Sequence, residues 1–188
     1  KAWKYLKEHF NGCILEKSNK VSFTNKCAPS IVLVYVGTYK VNGIEHSNTF
    51  DFSLFSVTSI VRGCVRMQNP QYSKSKNAVP LIHTTNLQKG KLVKLKRIIP
   101  GQNILVNGNG VVIPRVCNPN PNKIVLLDEK TIYALSDCVI VLHTPTKNDA
   151  ERLRDGIIEH WCDFVGVYKG TGAQYTTLER LKTLLGIS

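Results

Sequence analysis

Four short segments of this 188-residue chain have residue types suited to chemistry. Asp128-Glu129-Lys130 has the acid-x-Lys spacing that metal-dependent nucleases place around a phosphate. Its partner would be an upstream Asp at a strand end, and the nearest upstream acid is the distant Asp51. Asn69-Pro70-Gln71-Tyr72 is one residue away from the Asn-Pro-Pro-aromatic loop that holds an amine for methyl transfer. It follows Cys64-Val65-Arg66-Met67-Gln68, which is charged in its middle, where a buried strand end is needed. Asn118-Pro119-Asn120-Pro121 lacks the aromatic altogether, so both segments read as turns. Gly170-Thr171-Gly172 has glycines for a cofactor loop, but it follows a helix and lacks an acid at ribose-binding distance. His9, His46, His83, His143 and His160 show no metal spacing. The cysteines at 13, 27, 64, 117, 138 and 162 form no C-x-x-C pair and read as buried free thiols of a reducing compartment. None of these makes an active site.

The stronger chemistry is electrostatic. The segment from Phe52 to Leu127 contains no Asp or Glu and carries eleven basic residues. The rest of the chain nearly balances, with 14 basic against 13 acidic, so almost all of the net charge of +12 sits in one continuous stretch. Such a stretch attracts polyanions, of which nucleic acid is the commonest. Lys74, Lys76, Lys89, Lys91, Lys94, Lys96 and Lys169 would grip phosphates, with Arg115 beside them. Polar side chains able to read base edges fall in four turns: Gln71, Tyr72 and Ser73 among lysines; His83, Thr84, Thr85 and Asn86; Asn107 and Asn109; and Thr171, Gln174, Tyr175 and Thr176. Any one polar turn reads as simply solvated. Four of them in or near an acid-free segment read together as one DNA-facing surface. The turn at 170–176 would then fold back beside 83–86.

The elements that must hold these turns are short. Residues 1–11 read as a helix through Trp3, Leu6 and Phe10, ended by Gly12. Ile31–Val36 is a β-branched run and reads as a buried strand, followed by an Asn42-Gly43 turn. Residues 50–56 alternate imperfectly and read as another strand. Residues 67–79 form an exposed loop. A strand from Val79, a Thr/Asn turn, a Lys-Gly turn and a basic-faced strand over Leu92–Ile99 follow. Ile104–Val106, Val111–Val116, Lys123–Leu127 and Cys138–Leu142 are further strands, separated by Asn/Gly and Asn/Pro turns. The period then becomes helical. Asn148 and Glu151 form a capping box ahead of Ala150, Leu153, Ile157, Ile158 and Trp161. Thr176 and Glu179 form a second, ahead of Leu178, Leu181, Leu184 and Leu185.

No linker composition divides the chain, so it reads as a single α+β domain over 1–188. The sheet is mixed, twisted and mainly antiparallel, or a half-barrel, with flanking helices. No apolar run approaches the length of a membrane span, and no signal-peptide core opens the chain. It begins at Lys1, with no initiator Met, which reads as a piece cut from a longer protein.

Val79-Pro-Leu-Ile-His-Thr-Thr-Asn-Leu-Gln-Lys-Gly-Lys-Leu92 resembles the "P-x-I-R-T-S-D-L-x-x-G-x-I" segment of restriction-modification specificity subunits. Gly101 to Val116 is similar to their "G-D-I-L" strand and turn, and Ala134 to Leu142 to the strand that follows. Gly170 to Leu181 is similar to a late Gly-x-Gly element that opens a helix. The order and spacing agree over 79–186. The similar family is the target recognition domain, found in type I specificity subunits and fused to adenine methyltransferases or combined nuclease-methyltransferases. The sequence departs from it where His83 stands for a frequent Arg, Asn86 for a frequent Asp, and Asn107 and Asn109 for an Arg-containing turn. Such positions vary with the target sequence. The helix linking two recognition domains in type I subunits is absent, which favours a single domain of a longer enzyme.

The resemblance implies sequence-specific recognition of double-stranded DNA in the cytoplasm of a prokaryotic-type cell. Methyltransferase or nuclease domains or subunits of the same system would be the partners. The domain itself would be non-catalytic and without a cofactor, and S-adenosylmethionine would be used by the parent enzyme. The alternatives are a small catalytic methyltransferase or nuclease, using Tyr72 or Asp128, and an RNA-binding or protein-interaction module.

Overall fold

The computed structural model describes the backbone of residues 10–21 and 30–39, and residues 50–68, 70–101, 104–170 and 173–187 in full. The chain divides into two compact units, Lys1–Asn48 and Thr49–Ser188. The first holds two long antiparallel strands, β1 (Phe10–Val21) and β2 (Ser30–Tyr39), in register from Phe10↔Tyr39 to Val21↔Ser30, with irregularities between Ile14 and Glu16 and between Ser18 and Val21. The strand expected at Ile31–Val36 is present within β2. The helix expected over 1–11 lies outside the described residues up to position 9. Its last two residues open β1 instead, and Gly12, expected to end a helix, pairs with Gly37 inside the sheet. The Asn42-Gly43 turn also lies outside the described residues.

The second unit is built on strands buried from both sides. β9 (Gly110–Pro114) and β12 (Val139–His143) pair antiparallel at the centre of a sheet ordered β10-β9-β12-β3, with β3 at Ser59–Arg62 and β10 at Val125–Leu126. Val111, Ile113, Ile140 and Leu142 point to one face; Val112, Val139 and Val141 point to the other, and all seven are fully buried. A strand sandwiched in this way cannot show a polar alternate, and so these segments read as continuous apolar runs.

Three helices cover the first face: α1 (Lys147–Glu159), the single turn α2 (Trp161–Phe164) and α3 (Leu178–Leu185). They supply Ala150, Leu153, Ile157, Phe164, Leu181 and Leu185 to the core, each apolar side chain contributing roughly 1.5–3 kcal/mol when fully buried. Both caps sit one or two residues from their expected places. Thr146, not Asn148, caps α1: its hydroxyl accepts the Asp149 N–H at 3.1 Å and donates to the Asp149 carboxylate at 2.6 Å. Thr177, not Thr176, caps α3. Ile158 is exposed, where the expected face had it inward. Residues 50–56 are not a strand. Asp51 accepts the Ser53 N–H and starts a 3-10 turn at Phe52–Leu54, which buries Phe52 against Phe164.

A second sheet packs on the other face. Its order is β7-β4-β11-β8, with β4 at Val79–Ile82, β7 at Lys96–Ile98, β8 at Leu105–Val106 and β11 at Tyr133–Leu135. β4 and β11 are parallel and the other pairs antiparallel. The unit is therefore α+β with mixed, mainly antiparallel open sheets, as the sequence indicates. A two-residue hairpin joins β5 (Leu87–Gln88) to β6 (Lys91–Leu92), its tip Lys89-Gly90 at φ +49° and +72°. Two left-handed residues match the twist of such tight hairpins. The basic strand expected over 92–99 is broken into β6 and β7 by a left-handed residue, Lys94 at φ +51°. Within β4, Ile82 faces the inter-sheet core, while Leu81 faces outward onto a small cluster with Val65, Ile98 and Ala134. Among the described residues no helix is long and apolar enough to cross a membrane.

β11 connects to β12 through Ser136-Asp137-Cys138, and Gly63 lies against that corner. A Cβ on Gly63 would sit 2.1 Å from the Ser136 carbonyl oxygen and 2.6 Å from Leu135. Gly63→Ala should therefore destabilise the second unit by about 3 kcal/mol, an overpacking cost that a urea titration would read as a lowered midpoint. An unchanged midpoint would show that the strand end and the corner are not in contact.

Candidate nucleic-acid interface

The outer face of the second sheet carries the candidate site. Tyr72 forms an isolated bridge with Ile98 and so extends the sheet beyond β7. The parallel ends of β4 and β11 deliver His83 and Ser136 side by side. β7 runs the other way and starts at the same end, bringing Lys94 and Lys96 beside them. Met67, Tyr72, Leu81, His83, Thr85, Asn86, Gln88, Lys94 and Lys96 line a cavity of about 270 Å³. A second cavity of about 350 Å³ shares Tyr72 and Lys96 and adds Ser73, Lys74 and Arg97. A third, of about 470 Å³, shares Met67 and adds Arg66, Gln68, Asp137 and Cys138. The first two are lined wholly by the acid-free segment.

The residues are held by local chemistry. The 3-10 turn Thr84–Asn86 follows β4, and Asn86 ties it to the loop after β6. Its Oδ1 accepts the His83 N–H at 2.9 Å. Its Nδ2 donates to the carbonyls of Val93 and Lys94, at 2.9 and 3.1 Å. Both amide protons are thus spent on the backbone that holds Lys94 in its left-handed conformation. Asn86 positions the site and has no donor left for a base. The Gln88 amide donates to the Thr85 carbonyl at 2.8 Å. Lys96 Nζ lies 4.4 Å from the centre of the Tyr72 ring, a cation–π arrangement that fixes both. The hydroxyls of Ser73 and Ser75 accept the N–H groups of Ser75 and Asn77, shaping the exposed turn that carries Lys74 and Lys76. Arg97 donates to the Ala78 carbonyl beneath it.

His83 is half-buried, with Nδ1 2.9 Å from the Ser136 hydroxyl. That hydroxyl also accepts the Cys138 N–H, and the ring's Nε2 lies 3.4 Å from Thr84 Oγ1. Burial lowers the His83 pKa and outweighs the opposing pull of Asp137. The ring is neutral at pH 7 and offers one donor.

The remaining expected residues lie apart. Gln71, Lys76, Lys89 and Lys91 are exposed near the cavities, Lys89 at the β5–β6 tip and Lys91 paired with Gln88. Asn107 and Asn109 leave β8 at the opposite end of the sheet from His83, because β8 is antiparallel to β11. Asn109 lines a separate recess with Asp128, Glu129, Lys130 and Lys147. The Asp128 carboxylate accepts from Thr131 Oγ1 at 2.6 Å and from the Lys130 N–H at 3.2 Å, a turn cap that pushes its pKa down. Residues 174–176 fold onto 115–117, with Gln174 O accepting the Cys117 N–H and Arg115 O accepting the Thr176 N–H. Its link to His83 is indirect: Arg115 Nε donates to the Asp137 carbonyl, beside Ser136. Lys169, Gln174 and Tyr175 are exposed there. Thr176 is fully buried, so its hydroxyl cannot reach a ligand. Thr171 lies outside the described residues.

No protein-family model matches this chain, and no curated protein matches it. Among the described residues no group of three or more His, Cys, Asp or Glu is placed to hold a metal ion. Cys117 and Cys138 are half-buried, whereas Cys64 and Cys162 are exposed where burial was expected. Residues the sequence did not single out are Arg66, Met67, Gln68, Gln88 and Arg97; only their position near charged turns hinted at them.

The Asn86 clamp has a direct consequence. Asn86→Asp keeps the acceptor for the His83 N–H but loses both donors and faces two carbonyls with a charge. It should cost about 1–3 kcal/mol in a urea titration, whereas Asn86→Gln should recover little because the longer amide misplaces all three bonds.

Proposed function

We propose that this chain is a sequence-specific double-stranded DNA recognition domain of a restriction-modification system. The single observation that carries this reading is the joined pair of cavities lined entirely by the acid-free segment. Lys74, Lys94, Lys96 and Arg97 surround polar groups on one face, with no carboxylate among the lining residues. Cations surrounding a cluster of hydrogen-bonding groups are what phosphate grip plus base readout requires. The resemblance over 79–186 supports the same reading, because the segment most like the family's builds this face. The parent enzyme would supply methyl transfer from S-adenosylmethionine, or cleavage, through other domains or subunits.

An alternative nuclease role for Asp128 finds less support, since its carboxylate is engaged in its own turn. Tyr72 as an amine-holding residue is equally disfavoured: it lies at a sheet edge under Lys96, not after a buried strand.

Fluorescence anisotropy with labelled duplexes at several salt concentrations tests the proposal. Affinity should fall steeply with salt, and Lys91→Ala should weaken all sequences alike while reducing the log–log salt slope by about one. Structured RNA should compete poorly. Salt-independent binding, or preference for RNA, would contradict it.

A further inference from the structure

We propose that the Tyr72–Lys96 wall divides a site for one unpaired nucleotide, with the base in the first cavity and its phosphate in the second, so that the protein captures a base turned out of the duplex. This rests on the DNA-recognition reading and adds a demand to it.

A base pair inside a duplex is read by something that protrudes, because its edges lie at the floor of a groove about 12 Å wide. Here the polar groups line a recess. A recess is filled by a ligand that protrudes, and a base presents its edges to a recess only when it is unstacked from the duplex. Cations line both cavities, Lys94 and Lys96 the first and Lys74, Lys96 and Arg97 the second, while the apolar side chains of Met67 and Leu81 line only the first. On one side of the wall, Met67 and Leu81 give an apolar floor and His83 and Gln88 give polar edges. On the other side, Ser73, Lys74 and Arg97 give a basic, hydroxyl-bearing niche. Tyr72 lines both and is 45% exposed, so its ring is reachable by a ligand. An aromatic ring held by a neighbouring cation is a platform on which any base can stack. Lys96, bound over that ring, stands where base and phosphate would join.

The test compares three probes on the whole chain: a matched duplex, the same duplex with one unpaired adenine, and single-stranded RNA of the same sequence. The bulged duplex should bind about tenfold tighter than the matched one, the size expected from one base–aromatic stack. 2-Aminopurine at the bulge should report a change of stacking on binding. Tyr72→Ala should bring the bulged-to-matched ratio close to one, and Tyr72→Phe should preserve it, since the ring and not the hydroxyl is required. Circular dichroism melting of both variants separates loss of stacking from loss of fold. Equal affinity of the wild-type protein for matched and bulged duplex would overturn this inference and leave DNA recognition standing. Tighter binding of the RNA would overturn the assignment to DNA. Failure to bind any probe at low salt would overturn both readings.

Discussion

The corner at Ser136-Asp137-Cys138 is the constraint on which the second unit depends. It takes the chain from the outer sheet into the central one, and almost every polar group in it is engaged. The Ser136 N–H donates to the Ile82 carbonyl and the Asp137 N–H to that of Val65, the Asp137 carbonyl accepts from Arg115, and the Ser136 hydroxyl meets His83. Ser136 is fully buried, so an unmet hydroxyl there would cost about 1–3 kcal/mol. Gly63 must lack a side chain for the strands to approach it. The same corner therefore joins the two sheets, orients the imidazole of His83, and anchors through Arg115 the late turn that reaches Lys169.

The layered core follows from that junction. Helices cover one face of the central sheet and the outer sheet covers the other, which leaves the outer sheet's far face to carry chemistry. That face gathers Lys74, Lys94, Lys96 and Arg97 around two cavities whose lining includes no carboxylate, with Asp137 in the neighbouring one. Like charges so placed repel, and the repulsion is softened by water and salt but not abolished. The arrangement also keeps Lys94 in a left-handed backbone conformation that favours glycine, held there by the Asn86 amide. Strain and uncompensated charge at one place are costs that a bound polyanion would offset.

Much of this was legible in the sequence, for identifiable reasons. Runs such as Val111–Ile113 and Val139–Leu142 announce strands because both faces are buried. The charge segregation is a property of composition and marks the segment that lines both cavities before any fold is known. Tyr72, His83, Thr85, Lys94 and Lys96, which line one cavity, stood out in the sequence because they lie in or beside polar turns of that segment. The misreadings arise where local hydrogen bonds override pattern. Asp51 turns a strand-like stretch into a 3-10 turn, and Thr146 takes the α1 cap from Asn148. Asn86 and Thr176 look like readers in a linear sequence and are used by the fold, one as a clamp and the other inside the core. The separation of Asn107 from His83 depends on β8 being antiparallel to β11, a pairing no local signal encodes.

Lysine protection would locate the surface that duplex DNA covers. The protein would be acetylated with and without a saturating duplex, and each lysine followed by mass spectrometry. The account predicts strong protection at Lys74, Lys94 and Lys96, with Lys130, Lys147 and Lys182 modified equally in both samples. Protection spread evenly over all six, or confined to the second three, would contradict a nucleic-acid interface on the outer sheet.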